Sequence, residues 1–437
     1  MEKSGKFRLT SLERNWILYD VGNSAFVLMV ATLIPIFFNA LAAAGGLSSV
    51  EYLAYWGYAS SAVTVITAVL SPILGTVADT KGFKKPIFIL CVFVGIVGCC
   101  AMGAASAWLL FLVIFVIAKV GFSGSLVFYD SMLSDVTTPE RMDEVSSRGY
   151  AWGYIGSCVP FVVCLGLVLG AGSIGISQMT ALNLALLLTA AWWLLTTLPL
   201  LKSYKQLYYV EVEKHAVRQS FARIGHTLRH LPEDKQVFWF LLAFFCYIDG
   251  VYTIIDMATA YGTALGLDTT GLLLALLVTQ IVAFPSALIF GRLSNKYPSA
   301  KLIPVCIAAY AGIAVFAFFL TQQWQFWVLA VIVGMFQGGV QALSRSHFAK
   351  IIPPEKSGEY FGLFDICGKG ASFLGTMIVS VGSQLTGSAN VGVGSLIVLF
   401  IVGFVLFRVS CKKEVVPECD NVISAAQQQI GEAQNCV

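Results

Sequence analysis

All but two of the chain's 27 lysines and arginines fall in alternate gaps between long apolar stretches, counting Arg345 with the gap after it. The intervening gaps hold none. Cytoplasmic loops of membrane proteins retain Lys and Arg, whereas translocated loops lose them. The alternation therefore predicts an all-α membrane protein of twelve transmembrane helices with both ends in the cytoplasm. The two exceptions, Lys119 and Lys369, lie inside apolar stretches.

About 20 mainly apolar residues suffice to cross a bilayer. Stretches of that size run over 16–41, 52–78, 86–104, 107–133, 149–169 and 178–199. A second set runs over 237–265, 271–290, 302–320, 325–346, 360–385 and 391–407. Expected, then, are an N-terminal six-helix bundle (1–199), a cytoplasmic linker (200–236), a C-terminal six-helix bundle (237–410) and a cytoplasmic tail (411–437). In the linker Val210, Val217, Phe221, Ile224, Leu228 and Leu231 recur at helical spacing. An amphipathic helix on the inner membrane surface is expected there, with a solvated connector as the alternative. The tail is rich in Gln and Asn and is expected to be disordered. Ahead of Trp16 the chain is polar and basic and lacks a cleavable-signal pattern. Trp108, Trp324 and Trp327 stand where an outer aromatic belt would lie.

Composition excludes several classes. With 57% hydrophobic and 12% charged residues, the chain lies far from soluble domains, which carry about a quarter charged residues. Nucleic acid would need a basic face, and here the basic residues are scattered among short loops. No enzyme is expected. His215, His226, His230 and His347 lie in or beside loops, so no intramembrane triad or metal cage can be drawn. The GxxxxGK[ST] pattern of ATP-binding loops is missing. None of the 11 cysteines falls in a translocated gap or in a metal-ligand spacing, so they read as apolar fillers. Neither metal nor cofactor is expected.

The halves echo each other. Tyr19-Asp20-Val21-Gly22 answers Tyr247-Ile248-Asp249-Gly250, Gly75 to Asp79 answers Gly291 to Asn295, and Pro139-Glu140 answers Pro354-Glu355. Three pairs in matching order indicate an internal repeat.

Ionisable groups inside apolar helices are costly, about 3 kcal/mol for a lysine on insertion scales, and are functional candidates. Lys119 lies near the middle of helix four and Lys369 near the middle of helix eleven. Asp249 and Asp256 are seven residues apart on one face of helix seven, with Tyr252 and Thr253 between them. Asp20 and Asn23 share a face of helix one. Asp365 precedes Lys369 by four residues, the order that favours a buried ion pair within one helix. Asp130 and Glu359, near inner helix ends, are expected to meet Arg148 or Arg345 in gating contacts. Gln337 and Gln341 share a face of helix ten and can bond a polar solute. In the loop Gly75-Thr-Val-Ala-Asp79-Thr-Lys-Gly82-Phe-Lys84-Lys85 the glycines permit tight bends. Asp79 can accept from a neighbouring helix N-terminus, while Lys84 and Lys85 face lipid phosphates or inner acids.

Residues 16–24 (WILYDVGNS), 71–79 (SPILGTVAD), 249–255 (DGVYTII), 341–346 (QALSRS) and 361 onward (FGLFDICGK) carry a resemblance. The chain resembles one branch of the major facilitator superfamily, the autophagy-related vacuolar amino-acid effluxers and their bacterial relatives. This resemblance implies a secondary transporter whose helices one, four, seven and ten line a central cavity. Asp20, Lys119 and Asp249 would then surround one space with Asn23, Tyr252, Thr253, Asp256, Gln337 and Gln341, as a substrate and coupling site. The alternative is a structural salt bridge pinning helix four to helix seven. The loop with Gly75, Asp79, Gly82, Lys84 and Lys85 would latch the halves in the outward-facing state. Two departures stand out: Tyr252 occupies a place where the family pattern has Gln, and Asn295 and Pro298 replace an acid and a glycine. The second predicts an asymmetric inner gate.

The expected function is alternating-access transport of a small polar solute, an amino acid or short peptide, with protons as a candidate coupling ion. A zwitterion would place its carboxylate at Lys119 and its ammonium at Asp249 or Asp20. A lipid flippase or scramblase and a non-transporting membrane receptor are the alternatives. The expected setting is a monomer among membrane lipid, in the plasma (inner) membrane, or in the vacuolar membrane for a fungal chain.

Overall fold

A computed structural model describes residues 7–211, 225, 227 and 229–411, a few side chains within helices excepted. The first apolar stretch is broken into α1 (Ser11–Ala31) and α2 (Leu33–Ala44). The break falls at Thr32, whose backbone leaves the helical region three residues before Pro35; proline has no N–H to give, and its ring clashes with the carbonyl four residues back. Next come α3 (Ser49–Ala78), α4 (Lys84–Gly103), α5 (Trp108–Ser131), the short α6 (Leu133–Val136), α7 (Met142–Leu169) and α8 (Gln178–Ser203). The second group is α9 (Lys235–Ala264), α10 (Thr269–Leu293), α11 (Ser299–Phe318), α12 (Gln323–Ile351) and α13 (Ser357–Thr386). It ends with α14 (Ala389–Gly394) and α15 (Ile397–Cys411). Polar caps set several starts: Thr10 with Glu13 and Ser48 with Glu51 form reciprocal capping boxes.

Among the described residues eleven spans are long and apolar enough to cross a membrane, taking α1 with α2 and α14 with α15. The twelfth stretch of the sequence lies on α13, which at 30 residues is long enough to cross, with the side chains of 369–373 outside the described residues.

Helices α1–α8 form one group and α9–α15 the other, and the groups meet chiefly where α3 lies on α13 and α7 lies on α10 and α12. Small residues make those approaches possible. A methyl group added at Gly75 would sit 2.1 Å from the Gly358 carbonyl, and one at Gly291 would sit 2.8 Å from Ser147 Cβ. The sequence repeat that pairs Gly75 with Gly291 is thus a pair of equivalent crossings. Overpacking such a crossing costs about 1–3 kcal/mol. Gly75→Ala is therefore expected to cut the population with α3 and α13 in contact roughly 5- to 150-fold, read as a loss of cross-linking between cysteines placed on the two helices.

The expected linker helix falls largely outside the described residues. Its first predicted member, Val210, is not helical: it bridges Thr80 in an extended segment, its N–H donating to Asp79 O at 2.8 Å and its carbonyl accepting from Lys81 N at 3.2 Å. The linker start is therefore strapped across the loop that follows α3.

Candidate functional site

At the end carrying the basic loops, the two helix groups are sealed by polar contacts. Asp79, wholly buried, accepts from Gly358 N at 2.7 Å and Glu359 N at 2.8 Å, the free donors at the start of α13. Burial lifts its carboxyl to about 7, against the pull of Lys84 and those two amides. Lys84 is also fully buried and does not face lipid phosphates: Nζ lies 2.9 Å from Ser357 Oγ, 3.5 Å from Asp135 and 3.8 Å from Asp79. Asp135, which sequence reasoning passed over, is held by Tyr204 Oη and by the N–H groups of Leu207 and Tyr208 on the strap. Gly82 takes a positive φ of 80°, which glycine allows at no steric cost, and its N–H donates to Gln206. Lys85 Nζ is 3.5 Å from Tyr204 O.

The crossing of α7 with α10 and α12 carries the counterpart. Asn295 Nδ2 donates to Glu144 Oε2 at 2.6 Å, Ser346 Oγ donates to Asp143 at 2.6 Å, and Lys350 Nζ is 2.6 Å from the same carboxylate. Asn295 is thus itself a seal contact, although it departs from the acidic pattern. Arg148 does not meet Asp130 or Glu359; it pairs with Glu144 one turn back on its own helix, at 2.6 Å.

Above the seal, Arg345 reaches from α12 into the other group. It is 2% exposed, and of the two arginines expected to meet Asp130 it is the one that does. Nη1 donates to Asp130 Oδ1 at 2.9 Å, Nε to Ser146 Oγ at 2.9 Å and Nη2 to Ser146 O at 3.0 Å. Its guanidinium stacks on Trp16, Tyr129 and Tyr150 at 4.3–5.3 Å. Asp20 Oδ2 approaches Nη1 at 3.9 Å. Glycine at 149 leaves room for this pair, since a Cβ would lie 3.0 Å from Asp20 Oδ2 and 3.1 Å from Arg345 Nη2.

The expected triad of Asp20, Lys119 and Asp249 is not assembled. Asp20 belongs to Arg345. Asp249 is buried against α13, where Oδ1 accepts from Gly375 N at 2.9 Å and from Thr253 Oγ1 at 3.3 Å. Gly375 allows that approach, because a Cβ would stand 2.7 Å from Asp249. Lys119 of α5 acts electrostatically on Asp256 of α9. Its ammonium lies 4.8 Å from the Phe122 ring centre and 5.9 Å from that of Phe26. Asp249 and Asp256 share one helix face, but Asp256 is exposed, whereas Asp249 is buried.

Gln341 accepts from Tyr154 Oη at 3.2 Å, while buried Gln337 leaves Oε1 without a hydrogen bond. Tyr252 is half-buried beside this interior. Asn23 does not reach the cavity polar groups; Nδ2 donates to Tyr19 O within α1 at 3.1 Å. Asp365 accepts from Ser71 Oγ across the groups at 2.8 Å, and its expected partner Lys369 has a side chain outside the described residues. His347, read as a loop residue, is buried on α12 near Ser299 and among Phe240 and Phe407. Ser146, Glu144 and Asp143 were missed because short polar side chains at a helix start look like ordinary solvated positions.

An apolar cavity adjoins Asp256. It is lined by Ile255, Met257 and Ala258 beside that residue, and by Phe326, Leu329 and Val393 among others. Its polar members are spent on the protein: Thr253 on Asp249, Tyr261 on Ala317 O and Thr279 on Ala275 O and Ala330 O.

Residues 11–415 match the family described as "Vacuole effluxer Atg22 like". The chain is 43% identical over 404 residues to an uncharacterized MFS-type transporter, YxiO, of Bacillus subtilis, covering 91% of this chain and 94% of that protein. It is 25% identical over 314 residues to autophagy-related protein 22 of Coccidioides immitis and 27% over 283 residues to that of Saccharomyces cerevisiae. These matches cover 62% and 56% of this chain but span about half of each fungal protein, 51% and 53%. Among solved structures, the human organic anion transporter MFSD10 superposes with a TM-score of 0.69 at 15% identity, over 90% of this chain and 99% of that one. The transporter FucP in its outward conformation superposes with 0.68 at 16%, over 92% and 97%. The fold is that of the major facilitator superfamily, and the chain belongs to the Atg22-like family of MFS-type transporters.

Proposed function

We propose that this transporter carries an amino acid by alternating access, through twelve spans with both ends at the basic, cytoplasmic side and α13 as the remaining span. What supports the reading is that Lys119 on one group acts electrostatically on Asp256, an exposed carboxylate on the other. Opposite charges of that kind suit a zwitterion: the solute carboxylate meets Lys119 and its ammonium meets Asp256. Gln337, Gln341 and Tyr154 offer neutral hydrogen bonds nearby, and Tyr252 closes the same wall.

The side chain of the solute then enters the cavity beside Asp256. Because the hydroxyls on that wall are already bonded, a polar side chain would lose its water without replacement, at a cost of about 1–3 kcal/mol. Apolar side chains are favoured. The seal at the basic end makes this the state open to the opposite side, and rocking of the two groups about the solute would exchange the openings.

Counterflow by reconstituted protein, scanned over the common amino acids, tests the proposal. Leucine-like and aromatic solutes are expected to exchange at least tenfold faster than serine, asparagine or aspartate. Flux of none of them, or bulk lipid scrambling in their place, would overturn it.

A further inference from the structure

We propose that residues 202–211, the end of α8 and the start of the linker, form a membrane-surface site that takes anionic lipid headgroups and passes their attraction to the basic-end seal. This goes beyond the transport reading above and rests on it only for the two states. The outward faces of α4 and α8 place the site. Ile89, Leu90, Phe93 and Val97 on α4, and Leu187, Leu194, Leu195 and Leu198 on α8, are apolar and exposed, as bilayer-facing side chains are. Toward the basic end the α8 stripe continues one turn beyond Leu198 to exposed Lys202, and exposed Phe83 stands just ahead of α4. The two helix ends adjoin, since Lys85 Nζ lies 3.5 Å from Tyr204 O. There the chain leaves α8 and presents Lys205, Leu207 and Tyr208 outward, with Leu207 61% and Tyr208 40% exposed. Apolar and aromatic side chains beside lysines, at the edge of the hydrocarbon, anchor among lipid headgroups. Charge selects the lipid. Lys202 and Lys205 meet no acid among the described residues, and Glu211, the single acid of the segment, is held by Lys81 at 3.2 Å. Phosphates of lipids with net negative charge supply the missing partner.

The same segment is joined to the seal. Leu207 and Tyr208, whose side chains meet the lipid, each donate a backbone N–H to Asp135 Oδ1 at 3.0 Å. Asp135 Oδ2 accepts from Tyr204 Oη at 2.6 Å and lies 3.5 Å from Lys84 Nζ, which donates to Ser357 Oγ on the opposite group. Val210 N–H holds Asp79 O, and the Asp79 carboxylate accepts from the first amides of α13. Asp135 is buried. Should the strap lift, Oδ1 would lose both amide donors, and a buried acceptor left unsatisfied draws on whatever donor remains. That donor is Lys84, which would be pulled from Ser357. A lipid that fixes Leu207 and Tyr208 in place therefore favours the sealed state.

The full chain in lipid nanodiscs tests this without any solute. Spin labels replacing Glu140 and Glu355, both exposed and on opposite groups, report opening of the basic end in a background lacking the native cysteines. Adding phosphatidylglycerol to a phosphatidylcholine bilayer is expected to raise the sealed-to-open ratio roughly fivefold at low salt, the worth of one lysine at an anionic surface. High salt is expected to erase the gain. Lys202→Gln with Lys205→Gln is expected to lose the response, whereas Lys296→Gln with Lys301→Gln, exposed lysines of the opposite group, keeps it. Val210→Pro removes the donor to Asp79 O. It is expected to retain phosphatidylglycerol in native mass spectra while its sealed fraction no longer responds. A wild type indifferent to phosphatidylglycerol, a response that survives in either strap variant, or an equal loss in the opposite-group control overturns the proposal. So does a doubled mass showing that a second copy covers this face. Failure of amino-acid counterflow alone would instead overturn the solute assignment, since no solute enters these measurements.

Discussion

Lys119→Ala is expected to abolish concentrative uptake of leucine, with binding weakened at least tenfold, while the protein still folds and inserts. A hydrogen bond to a charged group contributes about 1.5–3 kcal/mol, which is roughly 10- to 150-fold in affinity. Removal of the ammonium strips the solute carboxylate of that partner and leaves Asp256 without its opposing charge. Asp256→Asn should lose a similar amount. The exchange Lys119→Asp with Asp256→Lys keeps both charges and reverses the solute, so it should recover part of the binding. Equilibrium binding of radiolabelled leucine to purified protein measures all three. Wild-type affinity in Lys119→Ala would remove this pair from the solute site.

Arg345→Ala is expected to shift the protein away from the sealed state by a few hundred- to a few thousand-fold. Removing one partner of a buried ionic cluster costs about 3–5 kcal/mol, because the remaining carboxylates are left uncompensated. Here the loss is concentrated in one conformation, since Arg345 meets Asp20, Asp130 and Ser146 only across the interface. Arg345→Lys should recover little, as an ammonium cannot bond Asp130 and both Ser146 acceptors in one plane. Arg148→Ala should shift the same equilibrium less than tenfold, because its pair lies within one helix and is partly solvated. The spin-label distance between Lys81 and Glu355 reads each shift.

Much of the architecture was legible before any coordinates. The helical segments emerge from apolar length, and ten of the twelve stretches map onto one long helix each. The exceptions are local: the first stretch breaks at Thr32 ahead of Pro35, and the last divides at Ser395–Leu396. The repeat linking Gly75 with Gly291 was visible too, since close helix crossings require glycine and leave a mark in the chain. Asp79 was recognised as an acceptor for a helix start, and the structure supplies that start in α13.

Pairing was another matter. Asp249 and Asp256 lie on one face of one helix, and periodicity cannot say which opens to water. Asp249 proved to be closed off by Gly375, 126 residues later. Lys119 looked like a partner for either of two acids, Asp20 and Asp249, and Arg148 looked as apt as Arg345 to meet Asp130, because sequence spacing does not give a side chain's reach across helices.

From the chain alone came the apolar helices, the basic end and the twofold repeat, because bilayer thickness and the cost of moving Lys and Arg across it act on each segment separately. Which acid faces which base depended on how α5, α9 and α12 rotate about their axes. That rotation is decided by side chains packed from distant segments, and two turns of one helix separate buried Asp249 from exposed Asp256.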